Sequence, residues 1–190
     1  MSMRLFWLVS LSLIASAAAA DNPLWEKLQK DSDMVVLMRN SESTGNRDGT
    51  DMLVWDSSGN CVGESMLTVK GKAHAKAIGE AFTKRGIAPN VISSPMCRCR
   101  ETSQIAFGEY LTDQDLRQRA TGDADGNEVF EKKVNELLGK HRGKTPVVLV
   151  NHRPNIDALT MELIDIGDLV VGTITQAGDI QVLGKIRIAP

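Results

Sequence analysis

Two arginines and a histidine stand where a folded chain could gather them around one anion. Arg39 closes the apolar run 34–38, and His152 comes one residue after the apolar run 147–150. Such runs predict buried strands, and ligands bind at the carboxyl ends of parallel strands in α/β folds. Arg98 follows a third short run, where a helix is expected to begin and its N-terminus would attract an anion. Together these side chains predict a site for a phosphate group.

The elements that must position these residues alternate in type along the chain. Apolar runs predict strands at 34–39, 91–93 and 147–150, with the last in the centre of the sheet, and a strand hairpin near 173–183. Amphipathic patterns predict helices over 21–33, 68–86, 98–107, 127–142 and 155–164. This alternation predicts an α/β fold, a three-layer α/β/α sandwich around a mainly parallel sheet.

Helical spacing also assigns the faces of three helices. The helix over 68–86 should turn inward Ala73, Ala77, Ile78, Ala81 and Phe82. His74 lies on this helix away from either strand end and is expected at the surface. The helix over 127–142 should bury Val129, Phe130, Val134, Leu137 and Leu138, and the helix over 155–164 should bury Ile156, Leu159 and Leu163.

The chain resembles the histidine phosphatase superfamily, branch 1, the phosphoglycerate-mutase-like group. The resemblance rests on Arg39 at the end of the first strand, on the pattern Ser94-Pro95-x-x-Arg98-x-x-x-Thr102, and on Asn151-His152. It implies that Arg39, Arg98 and His152 bind the phosphoryl group, with His152 as the second catalytic histidine. Arg153 adds a further positive charge to the predicted phosphate site.

Three positions depart from the pattern of that family. The resemblance places a nucleophilic histidine where this chain has Asn40, a proton-donating glutamate where it has Gln118, and an arginine of exported relatives at Ser65. The amide nitrogen of asparagine is delocalised into its carbonyl and cannot form a phosphoenzyme. Glu109, Asp113 or Asp115 could replace the missing acid, although carboxylates in an acidic loop are usually solvated.

These departures predict a protein that binds phosphate or a phosphomonoester and is catalytically impaired at the position of Asn40. One alternative is an active phosphomonoesterase that acts on a periplasmic phosphorylated sugar or a similar compound. The other is a scaffold that binds a protein partner and keeps a vestigial pocket. Neither the binding function nor the impaired chemistry requires a cofactor.

The N-terminus has the order of features of a secretory signal peptide. Arg4 precedes an apolar run over 5–14, and small residues lead to Ala18-Ala19-Ala20. Cleavage after Ala20 would leave 190 − 20 = 170 residues, one domain over 21–190, in the periplasm or outside the cell. The net charge would change from −2 to −3 with the loss of Arg4.

Charge and hydropathy exclude two classes of partner. A mildly acidic chain with scattered Lys and Arg has no basic stripe for nucleic acid. No later segment is apolar enough to span a membrane. Any phosphate site must therefore be a local basic pocket, and the partner that the family resemblance implies is phosphate or a small phosphorylated ligand.

Three cysteines in an exported chain predict one disulfide and one thiol left over. We expect Cys61 to pair with Cys97 or with Cys99, because both regions should border the mouth of the site. The cysteines and His152 lack the paired spacings typical of zinc sites, so no metal is predicted.

Overall fold

The computed structural model describes residues 22–45, 50–120 and 126–189. The predicted signal peptide lies outside these residues. The strands are β1 Met34–Arg39, β2 Asn90–Ser93, β3 Leu111–Thr112, β4 Val147–Asn151, β5 Asp168–Ile174 and β6 Ile180–Arg187. The helices are α1 Pro23–Lys30, α2 Val69–Thr83, α3 Cys97–Phe107, α4 Asn127–His141 and α5 Arg153–Thr160, and 3-10 turns occupy Thr50–Leu53 and Gln114–Leu116.

One six-stranded sheet, in the order β3-β2-β4-β1-β5-β6, forms the middle layer. The first four strands in this order pair in parallel. β5 pairs antiparallel with β1, and β6 pairs antiparallel with β5. Side chains of α1, α2 and α3 pack on one face of the sheet, and those of α4 and α5 pack on the other. The predicted α/β/α sandwich and the central position of β4 are confirmed.

The two central strands, β1 and β4, place their carboxyl ends at the same edge of the sheet. β1 is apolar throughout because Val36 and Met38 face one core while Val35 and Leu37 face the other. Its register with β4 sets Arg39 opposite Asn151. Since His152 directly follows β4 and Arg39 ends β1, parallel pairing places both at the same edge of the sheet.

The face assigned to α2 is right for Ile78 and Phe82, which are buried, but wrong for Ala73, which is exposed, and for His74, which is buried. His74, Ile78 and Phe82 are spaced by four residues, so they share one stripe of the helix, and that stripe faces the core. The Nε2 of His74 donates a hydrogen bond to the carbonyl oxygen of Ile188, 3.1 Å away. The apolar pattern of Ala73, Ala77 and Ala81 had favoured a different buried face of the helix.

Two other expectations of burial also fail. α5 ends at Thr160 because Met161 adopts the left-handed conformation, with φ of 55°, so Leu163 lies beyond the helix and is 73% exposed. Val129, which begins the apolar pattern of α4, is 60% exposed.

The disulfide joins Cys61 to Cys97, with 5.8 Å between their Cα atoms. This pairing is one of the two that the sequence predicted. Cys99 is a buried free thiol. Among the described residues, no helix is long and apolar enough to cross a membrane, and no three His, Cys, Asp or Glu side chains are grouped to hold a metal ion.

Candidate functional site

Arg98 and His152 meet at the carboxyl edge of the parallel strands. Nη2 of Arg98 lies 3.1 Å from Nδ1 of His152, and the two residues are 0% and 1% exposed. Arg39, half-buried at the end of β1, is close enough for its charge to lower the pKa of His152. The structure therefore brings together the three side chains that the sequence assigned to an anion.

Only one of the three nitrogens of the Arg98 guanidinium has hydrogen-bond partners among the described residues. Its Nη2 donates to the carbonyl oxygen of Met52 at 2.9 Å and to Oε1 of Gln118 at 2.7 Å, besides facing His152. Its Nε and Nη1 are buried and have no hydrogen-bond partner in the described parts of the chain. Burial also lowers the pKa of Arg98. Unpartnered buried donors on a cation are costly unless an anion joins them.

His152 is held in one neutral form. Burial, together with the charges of Arg98 and Arg39, holds its pKa well below the usual range. Because a guanidinium only donates, the contact with Nη2 of Arg98 favours the tautomer in which Nδ1 of His152 accepts and the ring proton is on Nε2. That proton is donated to Oγ of Ser94, 2.7 Å away. Both ring nitrogens are thus engaged within the protein.

Asn40 lies where β1 turns into the loop, and it is 3% exposed. Its backbone N–H donates to the carbonyl oxygen of Asn151 at 3.0 Å, so the ladder continues one residue past β1. Its side-chain amide donates to the carbonyl oxygen of Ser41 at 2.9 Å. The Ser41 N–H in turn donates to Oγ1 of Thr102 at 3.1 Å, which fixes this loop against α3.

The start of α3 differs from expectation. A helix N-terminus here should offer backbone N–H groups to an anion, but the Cys97 N–H already donates to Oε2 of Glu64, 2.7 Å away. The Met96 N–H donates to Oγ of Ser94 at 3.3 Å. An internal carboxylate therefore occupies the positive end of the helix. Glu64 lies in an irregular loop, where the sequence carries no signal of this contact.

The other predicted residues lie around this centre and do not join it. Arg153 is half-buried at the start of α5, and no hydrogen bond links it to Arg98 or His152. Asp113 accepts from the Asp115 N–H, and Asp115 forms an ion pair with Lys133. Glu109 is exposed. Among the described contacts, none connects these three carboxylates to Arg98 or His152.

A cleft of about 740 Å³ adjoins Gln118 on the outer side of the site. Its lining includes Trp55, Arg117 and Lys133, and the Arg117 guanidinium lies over the Trp55 ring at 5.1 Å. Gln118 borders this cleft and also contacts Arg98. It therefore stands between the outer cleft and the buried Arg98.

Asn155 is a structural centre that sequence reasoning missed. Its Nδ2 donates to the carbonyl oxygens of Leu116 and Arg117 and to Oδ1 of Asn151, and its Oδ1 accepts from the Arg119 N–H. These bonds attach the segment that carries Gln118 to the end of β4. An asparagine among the apolar residues of a helix was the available signal, since buried amides need partners.

Comparison with known proteins finds one matching family. Residues 35–136 match the family described as Histidine phosphatase superfamily (branch 1). This match includes Arg39, Asn40 and Arg98 and ends before His152. No curated protein matches the chain significantly.

Solved structures resemble the whole domain. The protein histidine phosphatase SixA complexed with tungstate is 14% identical, with a TM-score of 0.58 over 81% of this chain and 96% of that one. TTHB049 from Thermus thermophilus is 19% identical, with a TM-score of 0.56 over 82% and 99%. Phosphoserine phosphatase in complex with 3-phosphoglyceric acid from Entamoeba histolytica is 16% identical, with a TM-score of 0.56 over 82% and 97%. At these identities the likeness shows the shared fold.

Proposed function

We propose that this chain, which belongs to branch 1 of the histidine phosphatase superfamily, is an exported protein that binds a phosphate group or phosphomonoester and hydrolyses it slowly or not at all. The binding half of this proposal depends on Arg98, Arg39 and His152. The catalytic half depends on Asn40.

The observation that carries the proposal is the unpartnered Nε and Nη1 of Arg98. A buried guanidinium with free N–H groups, next to a second arginine, is stabilised by a multiply charged oxyanion. Phosphate supplies the required acceptors. The protein histidine phosphatase SixA, whose structure has a similar fold, was solved in complex with tungstate, and this supports binding of an oxyanion by the present chain.

The absence of a nucleophile supports impaired turnover. The Asn40 amide has no lone pair suited to attack phosphorus. In the neutral form of His152 the one lone pair faces Arg98, so the ring is not placed to activate a water molecule. Loss of a covalent nucleophile lowers the rate by roughly a thousandfold or more.

The outer cleft supports an ester as the ligand. Trp55 and Arg117 together present an aromatic face and a cation, which suit the polar organic part of a phosphorylated compound. Gln118 would then lie between the phosphate group and the rest of the ligand.

Export is supported by the N-terminal residues and by the disulfide. The order of Arg4, the apolar run and Ala18-Ala19-Ala20 is typical of a cleaved leader. A disulfide such as Cys61–Cys97 persists in oxidising compartments outside the cytosol.

Thermal unfolding of residues 21–190 with tungstate, vanadate or phosphate tests binding. Binding to the folded state raises stability by about 2.7 kcal/mol at a ligand concentration of a hundred times Kd. Arg98→Lys keeps the charge but loses the planar donors, so it should reduce the shift. Arg142→Lys, at the far end of α4, is the matched control and should retain it.

The same experiment separates a second candidate function. The enclosure of Arg98 beneath Met52 favours a scaffold whose site no longer admits ligands. No stabilisation by any of the three anions, with the disulfide either formed or reduced, would support that scaffold and reject our proposal. Robust hydrolysis of an aryl phosphate by the unchanged chain would instead show an active enzyme.

A further inference from the structure

The anion site lies beneath a segment of mostly irregular structure. We call residues 51–66 the cover segment; their one regular element is the end of the 3-10 turn Thr50–Leu53. Met52 in this segment is buried, and its carbonyl oxygen accepts a hydrogen bond from Arg98 at 2.9 Å. An oxygen atom of the protein thus occupies one side of the guanidinium, and Arg98 has no exposed surface.

Besides the bond from Arg98 to Met52, three further attachments hold the cover segment to the first turn of α3. Cys61 is bonded to Cys97. Glu64 accepts the Cys97 N–H at 2.7 Å. Arg100 donates from Nη1 to the carbonyl oxygen of Gly59 at 3.0 Å. Only the disulfide among these is covalent.

The disulfide is partly accessible to solvent through Cys61, and the backbone of Cys61 has an unfavourable conformation. Cys61 is half-buried, whereas Cys97 is buried. Cys61 also has φ of 65°, a conformation that residues other than glycine rarely adopt. Breaking the bond would allow Cys61 to leave this conformation, which favours movement of the cover segment.

We propose that the cover segment is a lid locked by the Cys61–Cys97 disulfide, and that reduction of this bond by a dithiol opens the site around Arg98 and His152. A thiolate of the dithiol attacks Sγ of Cys61, and Cys97 leaves as a thiolate that takes up a proton. The second thiol of the dithiol then displaces Cys61. The dithiol becomes a disulfide, and the protein gains two thiols. Control of anion entry by this lid depends on the proposed function, but the opening does not.

The chain contains its own reporter of this opening. Cys99 is the third cysteine and the one free thiol when the disulfide is formed. It is fully buried, with its Sγ 3.6 Å from Nε2 of His152. Reagents should reach it only when the site opens.

The test compares alkylation of Cys99 by N-ethylmaleimide in the unchanged oxidised chain and in the double variant Cys61→Ser/Cys97→Ser. Each has Cys99 as its single free thiol. Below the unfolding temperature, we expect alkylation about tenfold faster or more in the double variant, because local opening exposes Cys99. Equal rates would overturn the lid.

A control variant separates local opening from general loss of stability. Val134→Ala removes buried volume on α4, on the opposite face of the sheet from the cover segment. It should lower the unfolding temperature and keep Cys99 as slow to react as in the unchanged chain. Equal acceleration by Val134→Ala would assign the effect to global unfolding and reject the lid.

Chemical reduction supplies a measurement that needs no variant. Tungstate should associate faster with the chain treated with dithiothreitol than with the oxidised chain. Equal association with both forms would reject the lid while leaving the proposed function intact. Accelerated Cys99 alkylation without tungstate binding in either form would support the lid and reject the proposed function.

Discussion

The side-chain oxygen of Gln118 lies 2.7 Å from Nη2 of Arg98. A neutral amide thus stands against the buried guanidinium at the position where the family resemblance implies a glutamate. It satisfies one nitrogen of Arg98 without cancelling the charge that would attract an anion. The arrangement favours holding a phosphate group over donating a proton to a leaving group.

Gln118→Glu should weaken phosphate binding by about tenfold or more at neutral pH, because a carboxylate beside Arg98 would compete with the ligand for its charge. Isothermal titration with phosphate measures the change. Gln118→Ala is the matched control, since it removes the acceptor and adds no charge, and it should bind phosphate at least as tightly as the unchanged chain. Equal weakening by both variants would contradict this role for Gln118.

Asn40→His should raise hydrolysis of p-nitrophenyl phosphate by about a hundredfold or more, because it supplies a nucleophile beside Arg39. An aryl phosphate has a good leaving group, so the missing acid at Gln118 should matter little. Steady-state release of p-nitrophenol measures the effect. The control is Asn40→Gln, which lengthens the amide without a nucleophile and should leave the rate unchanged; a rise there would point to a different mechanism.

Gly79→Ala should destabilise the fold by about 2 kcal/mol or more, because an added Cβ would lie 2.1 Å from the carbonyl oxygen of Ala106 and force α2 away from α3. Gly139→Ala in α4 meets no atom within 4 Å and should stabilise the fold by up to about 1 kcal/mol through helix propensity. Urea unfolding of both variants measures the contrast. If the two variants changed the free energy of unfolding by similar amounts in the same direction, the close contact between α2 and α3 at Gly79 would be contradicted.

Stability should fall as the pH drops below about 6.5. Burial lowers the pKa of both His74 and His152, so the unfolded chain binds protons in this range that the folded chain does not. Each group contributes at most about 1.4 kcal/mol per pH unit to the slope. Urea unfolding at pH 7, 6 and 5 measures the profile.

His74→Gln separates the two histidines in that profile. Glutamine can still donate to the carbonyl oxygen of Ile188 but does not titrate. The variant should therefore show a shallower loss of stability with acid than the unchanged chain. A profile as steep as before would mean that His74 adds nothing to the pH dependence.

The strands were predictable because their side chains face two cores at once. Val35 to Met38 in β1 and the apolar residues of β4 have no polar face, which is the pattern of a central parallel strand. Once both strands were placed, the proximity of Arg39 and His152 followed from topology.

The contacts that enclose the site were beyond sequence reasoning. Arg98 is covered by the backbone carbonyl of Met52. Because every residue type carries such a carbonyl, the sequence does not indicate which residue makes this contact. The bond between Glu64 and the start of α3 joins residues 33 positions apart through an irregular loop. The register of α2 failed for a different reason, since His74 was placed at the surface for its distance from the strand ends, although it is spaced by four from the buried Ile78.

The hydrogen bond from the Asn40 backbone to Asn151 uses no atom of the Asn40 side chain. Any residue other than proline can donate this bond, so the pairing of β1 with β4 at this point does not require an asparagine side chain. Architecture and reactivity are therefore separable at this position: the side chain that decides the chemistry can change while the strand pairing that places Arg39 and His152 is kept.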